Sequence, residues 1–365
     1  MTMVTTATSM PDVALPPVVW PIVGLGLLAF AISLPATAWL IRLGSRLNAL
    51  DSPGAAGHAK VLRPIPNIGG IAIYLGLVLP LLVGIGALAV RSDWSPFLDP
   101  ALVDRARSSI PDALALVLCL TALHVTGLVD DRRGLGPWAK LGVQAAAALV
   151  MILGFEVRLF TLLGPVPSVV ITLLWIIVVT NAMNFMDNMD GLAAGVTAIA
   201  GTLFLVAALV NAQWFIAATL ALLVGGVLGF LWFNRPPARI FMGDGGSLVI
   251  GFLLAVLTAR TTFYNPEAPA LGGGWYAVFM PLIILAVPLY DFVAVTLIRL
   301  KQGRSPLVGD QQHFSHRLLD LGLTRADAVL VIWGVTAATG IGGIALGRLE
   351  AWQAMLVGMQ TLLML

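Results

Sequence analysis

The sequence predicts an all-α integral membrane protein, a polytopic bundle of ten or eleven transmembrane helices, and three observations lead to this fold class. Of the 365 residues, 59% are hydrophobic and only 10% are charged, whereas a soluble domain carries roughly 25% charged residues. Apolar runs of about 20 residues, the length that spans a bilayer, recur along the chain. The basic residues between these runs fall mainly on one side when successive loops are assigned to alternate sides.

The apolar runs define the individual helices, because polar residues, glycine and proline interrupt the hydrophobic pattern between them. Eleven segments result, and the short break at 211–213 leaves ten as the alternative count. The gaps between segments are loop-sized, so we expect a single transmembrane domain over residues 1–365. The predicted segments are 17–42, 67–90, 111–129, 138–154, 166–183, 191–211, 213–233, 245–262, 275–300, 325–347 and 351–365.

Lysine and arginine predict the orientation, because both are enriched in cytoplasmic loops. Of the 20 basic residues, six fall on one side and fourteen on the other. The richer side is therefore expected to face the cytoplasm, with the N-terminus outside. The N-terminal stretch 1–17 lacks lysine and arginine, so we expect no secretory signal peptide. The fourteen residues are Arg42, Arg46, Lys60, Arg63, Arg132, Arg133, Lys140, Arg235, Arg239, Arg299, Lys301, Arg304, Arg317 and Arg325.

Charge and cysteine content exclude several classes of protein. The net charge of +2 is close to neutral, so no nucleic-acid partner is expected. Cys119 is the single cysteine, which excludes an intrachain disulfide and a cysteine metal cluster. The sequence has no Walker-type glycine loop, which argues against an ATPase.

Most motifs with chemical potential fall on the predicted cytoplasmic side. They are the segments Asp51–Gly70, Asp130–Lys140, Asn181–Gly191, Phe233–Ser247 and Lys301–Arg317. Hydropathy and motif content are independent properties of a sequence. Their agreement predicts one shared site on the cytoplasmic face.

Asp130 and Asp131 are adjacent carboxylates at a membrane boundary. They repel each other unless a cation, a proton or a base is near, which suggests a Mg²⁺-linked or phosphate-activating catalytic pair. The alternative is a solvated loop paired with Arg132 and Arg133. Lys140, one turn into the next helix, is expected to hold a substrate phosphate, or else to extend its ammonium group towards the lipid surface.

Asn181, Asn184, Asp187 and Asp190 recur at every third position. On a helix each step of three drifts by about 60°, so Asp190 points away from the face of Asn181 if the helix continues. Either the helix ends near Asp187 or the four groups serve different parts of a substrate. Polar groups at the end of an apolar run are costly unless they bind something, although helix capping and interhelical hydrogen bonds are the structural alternative.

Asp244 lies among glycines directly before an apolar helix, in the run Phe233–Ser247. Glycines such as Gly243 permit close approach of the backbone to a ligand, and a helix N-terminus offers free N–H groups to an anion such as pyrophosphate. We therefore expect Asp244 to hold a divalent cation that bridges a pyrophosphate, with Gly243 and Ser247 at the substrate. The alternative is that Asp244 or Ser247 is only an N-cap.

His313, His316 and Arg317 form a polar group in the last predicted cytoplasmic loop. Two histidines three positions apart are a weak zinc signal without a third ligand, so contact with a phosphate or sugar is the better prediction. A plain loop is the alternative. Lys60, in a basic loop before the second segment, is expected to meet an anionic substrate or the lipid surface.

Two further polar residues lie inside apolar segments. His124 is interpreted as a hydrogen-bonded core histidine. Asp291 is an intramembrane carboxylate and therefore a candidate site residue by default.

Together, these motifs resemble the polyprenyl-phosphate N-acetylhexosamine-1-phosphate transferase family, glycosyltransferase family 4, over about residues 51–322. Each motif alone is modest, but their order on this number of helices is specific. The motifs that carry the resemblance are Asp130-Asp131 with Lys140, Asn181-x-x-Asn184-x-x-Asp187-x-x-Asp190-Gly191, Phe241-Met-Gly-Asp-Gly-Gly-Ser247 and His313-Phe-Ser-His-Arg317.

The resemblance implies a cytoplasmic cleft in the inner membrane, Mg²⁺ dependence with Mn²⁺ as an alternative, and transfer of a sugar-1-phosphate from a UDP-sugar to undecaprenyl phosphate. UMP is released, and the lipid product starts a cell-envelope polysaccharide. The resemblance leaves open whether the protein forms a homodimer. In the family, the match of Asp244 holds Mg²⁺ and the match of Asn184 lies close to it. The aspartate pair is assigned to activating the lipid phosphate, and the matches of Asp187 and Asp190 to nucleotide binding and site geometry.

The histidine loop resembles the WecA-like branch, which acts on UDP-GlcNAc, more than the MraY-like branch with three consecutive histidines. Phe314 and Ser315 depart from the His-x-His-His-Arg-Leu form of the WecA-like enzymes. GlcNAc-1-phosphate is therefore the expected group, and phospho-MurNAc-pentapeptide transfer is the alternative. A membrane transporter and a non-catalytic scaffold are alternatives from other classes, although transporters usually place carboxylates at the midplane and show internal repeats.

Overall fold

A computed structural model describes residues 16–46, 65–90, 99–261, 263, 274–305 and 313–365, and these residues form helices and no strands. The predicted all-α class is therefore confirmed. Lys60 lies outside the described residues. The helices are α1 (Val19–Arg46), α2 (Gly70–Val90), α3 (Pro100–Ser108), α4 (Ile110–Arg133), α5 (Pro137–Leu149), α6 (Pro165–Met186), α7 (Leu192–Val210), α8 (Trp214–Asn234), α9 (Asp244–Arg260), α10 (Met280–Ile284), α11 (Ala286–Lys301), α12 (Phe314–Asp320), α13 (Arg325–Ala345) and α14 (Ala351–Met364).

Every predicted apolar segment contains a helix, but not every helix has the length of a membrane span. Within the described ranges, eight helices are long and apolar enough to cross a bilayer, and a ninth span results if Trp275–Ile284 and Ala286–Lys301, bent by 67°, are counted together. Helix α9 has 17 residues and α14 has 14. With the bent pair counted as one span, the predicted count of ten is reached when one of these shorter helices is included, and the count of eleven when both are included.

Helix α9 lies at the centre of the bundle. Every residue from Gly245 to Ala259 is buried, and the helix packs against α4 and α6. Small residues permit this packing: a Cβ added at Gly127 of α4 would overlap the backbone of Asp244 and Gly245, and one added at Gly251 would lie 2.8 Å from the carbonyl oxygen of Thr180. Close backbone approach at glycines is common between membrane helices, and here it fixes the start of α9 beside the ends of α4 and α6.

Helices α1 and α8 form a second close pair at the edge of the bundle, and α2 packs against both. The hydroxyl of Ser33 donates to the carbonyl oxygen of Gly226 at 2.7 Å. Beyond α8, the chain leaves the helical bundle for Arg235–Gly243 and then enters α9. This connection brings the glycine-rich run to the same end of the bundle as the end of α4.

Candidate active site

The ends of four helices meet around the side chain of Asp244. Lys140, in the first turn of α5, places its Nζ 2.8 Å from Oδ2 of Asp130 and 2.9 Å from Oδ2 of Asp244. Asn184, near the end of α6, donates from Nδ2 to Oδ1 of Asp244 at 2.9 Å. The three charged side chains remain partly accessible, between 13% and 24% exposed. The structure thus brings Asp130, Asn184 and Asp244 into one polar cluster, although Asp130 is 54 residues from Asn184 and 114 residues from Asp244 in the chain.

Two glycines shape the backbone at this cluster. Gly243 precedes α9 with φ 70°, in the left-handed region that glycine adopts at little cost. A Cβ at this position would lie 2.5 Å from Oδ2 of Asp131, so Gly243 also allows close approach to that carboxylate. Gly134, with φ 62°, ends α4 directly after the aspartate pair, as glycines commonly do at helix C-termini.

Asp131 caps the N-terminus of α9 from the neighbouring helix α4. Its carboxylate accepts hydrogen bonds from the backbone N–H of Asp244 at 3.1 Å and of Gly245 at 3.3 Å, and from Nδ2 of Asn67 at 3.1 Å. A carboxylate at this position is favoured by the positive end of the helix dipole. Asp131 therefore holds the start of α9 in place.

This contact corrects one expectation from the sequence. The first N–H groups of α9 were expected to be free for a pyrophosphate, but Asp131 takes two of them, and the N–H groups of Gly246 and Ser247 bond to the carbonyl oxygen of Gly243 at 3.0 Å. Gly243 and Ser247 are thus parts of the helix start. An anionic substrate must be held by side chains here, because the backbone donors already have acceptors within the protein.

Asp130 differs from its neighbour although the two are adjacent in sequence. Its Oδ2 accepts a hydrogen bond from Lys140, but its buried Oδ1 accepts none from the residues that the structure describes. The carboxyl groups of Asp130 and Asp244 also lie within hydrogen-bonding reach of each other. The free oxygen makes Asp130 the member of the pair that is available to a proton or a cation.

The donor set fits a divalent cation that also binds substrate. Asp130 and Asp244 share one ammonium group, and Asp187 lies close enough to Asp131 to act on it electrostatically. Across the described part of the chain, no three acidic, histidine or cysteine side chains converge as a complete metal-binding set. Mg²⁺ is commonly bound by only one or two carboxylates, with substrate phosphates and waters as the other ligands, and this arrangement matches that pattern.

Asn184 supports Asp244 through its amide nitrogen. The same Nδ2 donates to Oγ of Ser247 at 2.8 Å, and Ser247 donates to the carbonyl oxygen of Gly243 at 3.1 Å. The amide must turn over before its oxygen can face a metal ion at Asp244. The assignment of Asn184 as a metal ligand therefore stays a prediction, and the observed contact orients the carboxylate.

Asn181 lies one turn before Asn184 and pairs with Gln144 of α5. Its Nδ2 donates to Oε1 of Gln144 at 2.6 Å, and Nε2 of Gln144 lies 3.4 Å from Oδ1 of Asn181. Gln144 is buried and follows Lys140 by four residues, so both side chains lie on one face of α5. The amide pair joins α5 to α6 and keeps Lys140 beside Asn184.

Asp187 and Asp190 follow the end of α6 at Met186, which confirms the interpretation that this helix ends near Asp187. Asp190 is buried and accepts a hydrogen bond from the N–H of Ala238 at 3.0 Å. The next N–H, of Gly191, bonds to Oδ1 of Asn234 at 3.0 Å. These contacts hold the connection that leads to Asp244. The catalytic assignment of both aspartates stays a prediction, and Asp190 has a positioning contact.

The histidine loop joins the site beside the end of α6. Nδ1 of His313 lies 2.8 Å from Oδ2 of Asp291, and Ser315 donates to Oδ1 of Asn188 at 2.7 Å. Phe314 packs edge-on against Tyr290, with ring centroids 5.9 Å apart. The two departures from the family pattern, Phe314 and Ser315, thus have packing and docking contacts.

The other two residues of the loop are less enclosed. His316 lies with its ring centroid 6.3 Å from that of His313, and Arg317 is partly buried on α12. Both are accessible to a ligand at this end of the bundle. Their assignment as substrate-binding residues stays a prediction.

Asn67, Gln144 and Asn188 were missed by the sequence analysis. Asn67 lies in the segment Pro66–Gly70, which pairs with the chain before Asp244: the N–H of Gly70 donates to the carbonyl oxygen of Met242 at 2.9 Å. Its position two residues before the pair Gly69-Gly70 was a usable signal. Gln144 could have been found as the polar residue one turn after Lys140.

His124 has the structural contacts that the sequence suggested. Its Nδ1 lies 2.7 Å from the carbonyl oxygen of Gly245, and its ring stacks on Tyr74 with centroids 4.3 Å apart. The interpretation as a hydrogen-bonded core histidine is confirmed. The contact also supports the first turn of α9, directly after Asp244.

Comparison with known proteins agrees with the geometry. The family model for glycosyl transferase family 4 matches residues 113–262, the part of the chain that carries Asp130, Lys140, Asn184 and Asp244. Decaprenyl-phosphate N-acetylglucosaminephosphotransferase of Mycolicibacterium smegmatis is 32% identical over 332 residues, which cover 84% of this chain and 78% of the relative.

Two further relatives come from other bacteria. Undecaprenyl-phosphate alpha-N-acetylglucosaminyl 1-phosphate transferase of Escherichia coli K12 is 26% identical over 307 residues, 80% of this chain and 74% of the relative. Decaprenyl-phosphate N-acetylglucosaminephosphotransferase of Mycobacterium tuberculosis H37Rv is 32% identical over 332 residues, which cover 84% of this chain and 78% of the relative. With the family model, these similarities establish that the chain belongs to glycosyl transferase family 4.

Proposed function

We propose that this protein transfers N-acetylglucosamine-1-phosphate from UDP-GlcNAc to a polyprenyl phosphate and releases UMP. The observation that carries the proposal is the cluster in which Lys140 bridges Asp130 and Asp244 where four helix ends meet. The names of relatives at 26% to 32% identity, which act on decaprenyl or undecaprenyl phosphate, support the choice of acceptor and sugar. The lipid product would start a cell-envelope polysaccharide.

Mg²⁺ is the proposed cofactor, with Mn²⁺ as an alternative of similar ligand preference. Asp244 is the proposed ligand, with Asn184 beside it. When bound, the cation supplies charge neutralisation for the diphosphate of the UDP-sugar.

The protein side chains then position and neutralise the reacting groups. A phosphate oxygen of the lipid attacks the β-phosphorus of UDP-GlcNAc, the bond from that phosphorus to the bridging oxygen breaks, and UMP leaves with this oxygen. Lys140 offers a cation to the phosphates, and Oδ1 of Asp130 takes the proton of the lipid phosphate if it arrives protonated. Most of the catalysis is positioning and charge stabilisation, as in other phosphoryl transfers.

The site is proposed to face the cytoplasm from the inner membrane, with the N-terminus outside. The described ends of α4 and α8 carry Arg132, Arg133 and Arg235, as expected for a cytoplasmic side. Cys119 is the single cysteine and is buried, so a Cys119→Ser background suits cysteine labelling. We expect the Arg133→Cys variant in this background to react with a membrane-impermeant maleimide only in inverted vesicles. Reaction in intact cells would contradict the proposed orientation.

The test of the reaction is UMP release by the purified protein with undecaprenyl phosphate, Mg²⁺ and a panel of UDP-sugars. Release from UDP-GlcNAc that EDTA abolishes and Mg²⁺ restores is the expected result. Release from another UDP-sugar alone would keep the reaction and change the sugar. No release from any sugar by a folded, lipid-supplied sample would overturn the proposal in favour of a transporter or a scaffold.

A further inference from the structure

Asp291 is a buried carboxylate that the proposed reaction does not use. It lies in α11, just after the bend at Leu285, and its side chain is 2% exposed. A carboxylate at such a position is costly unless it is paired and hydrogen-bonded. The contacts of Asp291 therefore indicate the role of this carboxylate.

Both oxygens of Asp291 are directed at one short segment of the histidine loop. Oδ2 lies 2.8 Å from Nδ1 of His313, and Oδ1 accepts the backbone N–H of Phe314 at 2.6 Å. The first contact orients an imidazole, and the second fixes the backbone that carries it. The imidazole is consequently held in both position and rotation.

The carboxylate also determines which ring nitrogen of His313 carries the proton. An ionised carboxylate only accepts hydrogen bonds, so Nδ1 must be the protonated nitrogen, and Nε2 is left for another partner. The ring lies edge-on to Phe185, with centroids 5.8 Å apart, and Phe185 directly follows Asn184 of the polar cluster. His313 is therefore held at the same helix end as Asp244.

We propose that Asp291 is a positioning residue that holds His313 with its proton on Nδ1 and directs Nε2 to the UDP-sugar. This inference rests on the proposed function and names a residue through which substrate binding is controlled. Asp291 itself does not touch the substrate. Its effect on the reaction passes through the orientation and protonation of the His313 ring.

The direct test is nitrogen NMR of the protein labelled with ¹⁵N-histidine. The chain has four histidines, and the His313→Gln variant assigns the signals of His313 by their loss. We expect a protonated Nδ1 and an Nε2 that shifts when UDP-GlcNAc is added. This wild-type measurement stands even if variants of Asp291 fail to fold. A protonated Nε2 with bare Nδ1, or an Nε2 that ignores the nucleotide sugar, would overturn the proposal.

Asp291→Asn tests the same point by reversing the hydrogen bond. The amide oxygen can still accept the N–H of Phe314, while the amide nitrogen donates to Nδ1 and moves the ring proton to Nε2. We expect kcat/KM for UDP-GlcNAc to fall by about 10- to 100-fold, the range found when the hydrogen-bonding partner of a metal-ligating histidine is removed. Unchanged kcat/KM, or an unchanged tautomer in a folded variant, would contradict the assignment.

A double-mutant cycle separates positioning from general structural support. If Asp291 acts through His313, Asp291→Asn causes no further loss of kcat/KM in a His313→Gln background. Additive losses would show that Asp291 acts elsewhere. Asp112→Asn is the matched control, because it makes the same change at a paired carboxylate elsewhere in the bundle and should leave the His313 signals unchanged. A wild-type protein that releases no UMP would instead overturn the proposed function, whatever the tautomer.

Discussion

The two ends of the α4–α9 helix pair carry charged residues of different kinds. At one end, Asp112 of α4 forms an ion pair with Arg260 of α9, so one acid is matched by one base. At the other end, Asp130 and Asp131 of α4 meet Asp244 of α9, and Lys140 pairs with Asp130 and Asp244. The first end is balanced within the protein, whereas the second carries excess negative charge. The excess of carboxylates at the second end supports the proposal that a ligand completes this end.

The largest effect is expected for Asp244→Ala. UMP release should fall by at least about 10²- to 10³-fold, as when a main electrostatic contact of an active site is removed, because both Lys140 and Asn184 lose their common partner. The measurement is the initial rate of UMP release at saturating UDP-GlcNAc. Near-normal activity would remove Asp244 from the site. The thermal unfolding temperature in detergent should stay close to that of the wild type, which shows that folding is retained.

Asp130→Asn is expected to have the next largest effect. The variant keeps the shape of the side chain but loses the oxygen proposed to take a proton, so kcat should fall by about 10²- to 10⁴-fold, the range for general acid–base groups. Stability should not fall, since the change removes repulsion between carboxylates at this end. A variant that turns over normally would exclude Asp130 as the proton acceptor.

Asp131→Ala should separate stability from chemistry within the same aspartate pair. The change leaves the N–H groups of Asp244 and Gly245 without their cap, which costs about 1–2 kcal/mol in typical helix N-caps. We expect a lower thermal unfolding temperature together with a smaller loss of activity than in Asp130→Asn. Equal stability of the Asp130 and Asp131 variants would contradict the division of roles between the two carboxylates.

Gln144→Leu tests a residue that supports the site without entering it. The change removes the hydrogen bonds between Gln144 and Asn181, whose Nδ2 keeps the carbonyl oxygen of Ile177 as an acceptor, and it loosens the connection between α5 and α6. A lost side-chain hydrogen bond costs about 0.5–1.5 kcal/mol, and the displaced Lys140 should reduce kcat/KM by about 10-fold to 10²-fold, since a 1 Å misplacement can have such an effect. If kinetics and unfolding temperature both match the wild type, the amide pair is not needed to position Lys140.

Asp112→Asn should have the smallest effect and completes the comparison of the two ends. The ion pair with Arg260 is partly exposed, and such pairs contribute about 0–1 kcal/mol. UMP release should be unchanged, with at most a small decrease in unfolding temperature. A loss of activity comparable to that of Asp130→Asn would show that the two ends are not functionally distinct.

The helices and the grouping of motifs were predictable, because both depend on local composition and on the alternation of loops across the membrane. The roles within the motifs depend on packing between helices. Nothing in the sequence distinguishes Asp130 from Asp131, yet one caps α9 and the other keeps an oxygen free. Likewise, the spacing of Asp190 predicted a catalytic residue, but its observed contact with Ala238 stabilises the connection between α8 and α9. Such contacts arise only once distant segments meet.

The burial of α9 has a consequence for the surroundings in which the enzyme works. Membrane helices that face lipid respond to bilayer thickness by tilting or by deforming the bilayer. Between Gly245 and Ala259, α9 is enclosed by the other helices, so its neighbours and not the lipid determine its tilt. Adjustment to a thicker or thinner bilayer falls instead on peripheral helices such as α1. The position of Asp244 relative to Asp130 is thereby insulated from hydrophobic mismatch.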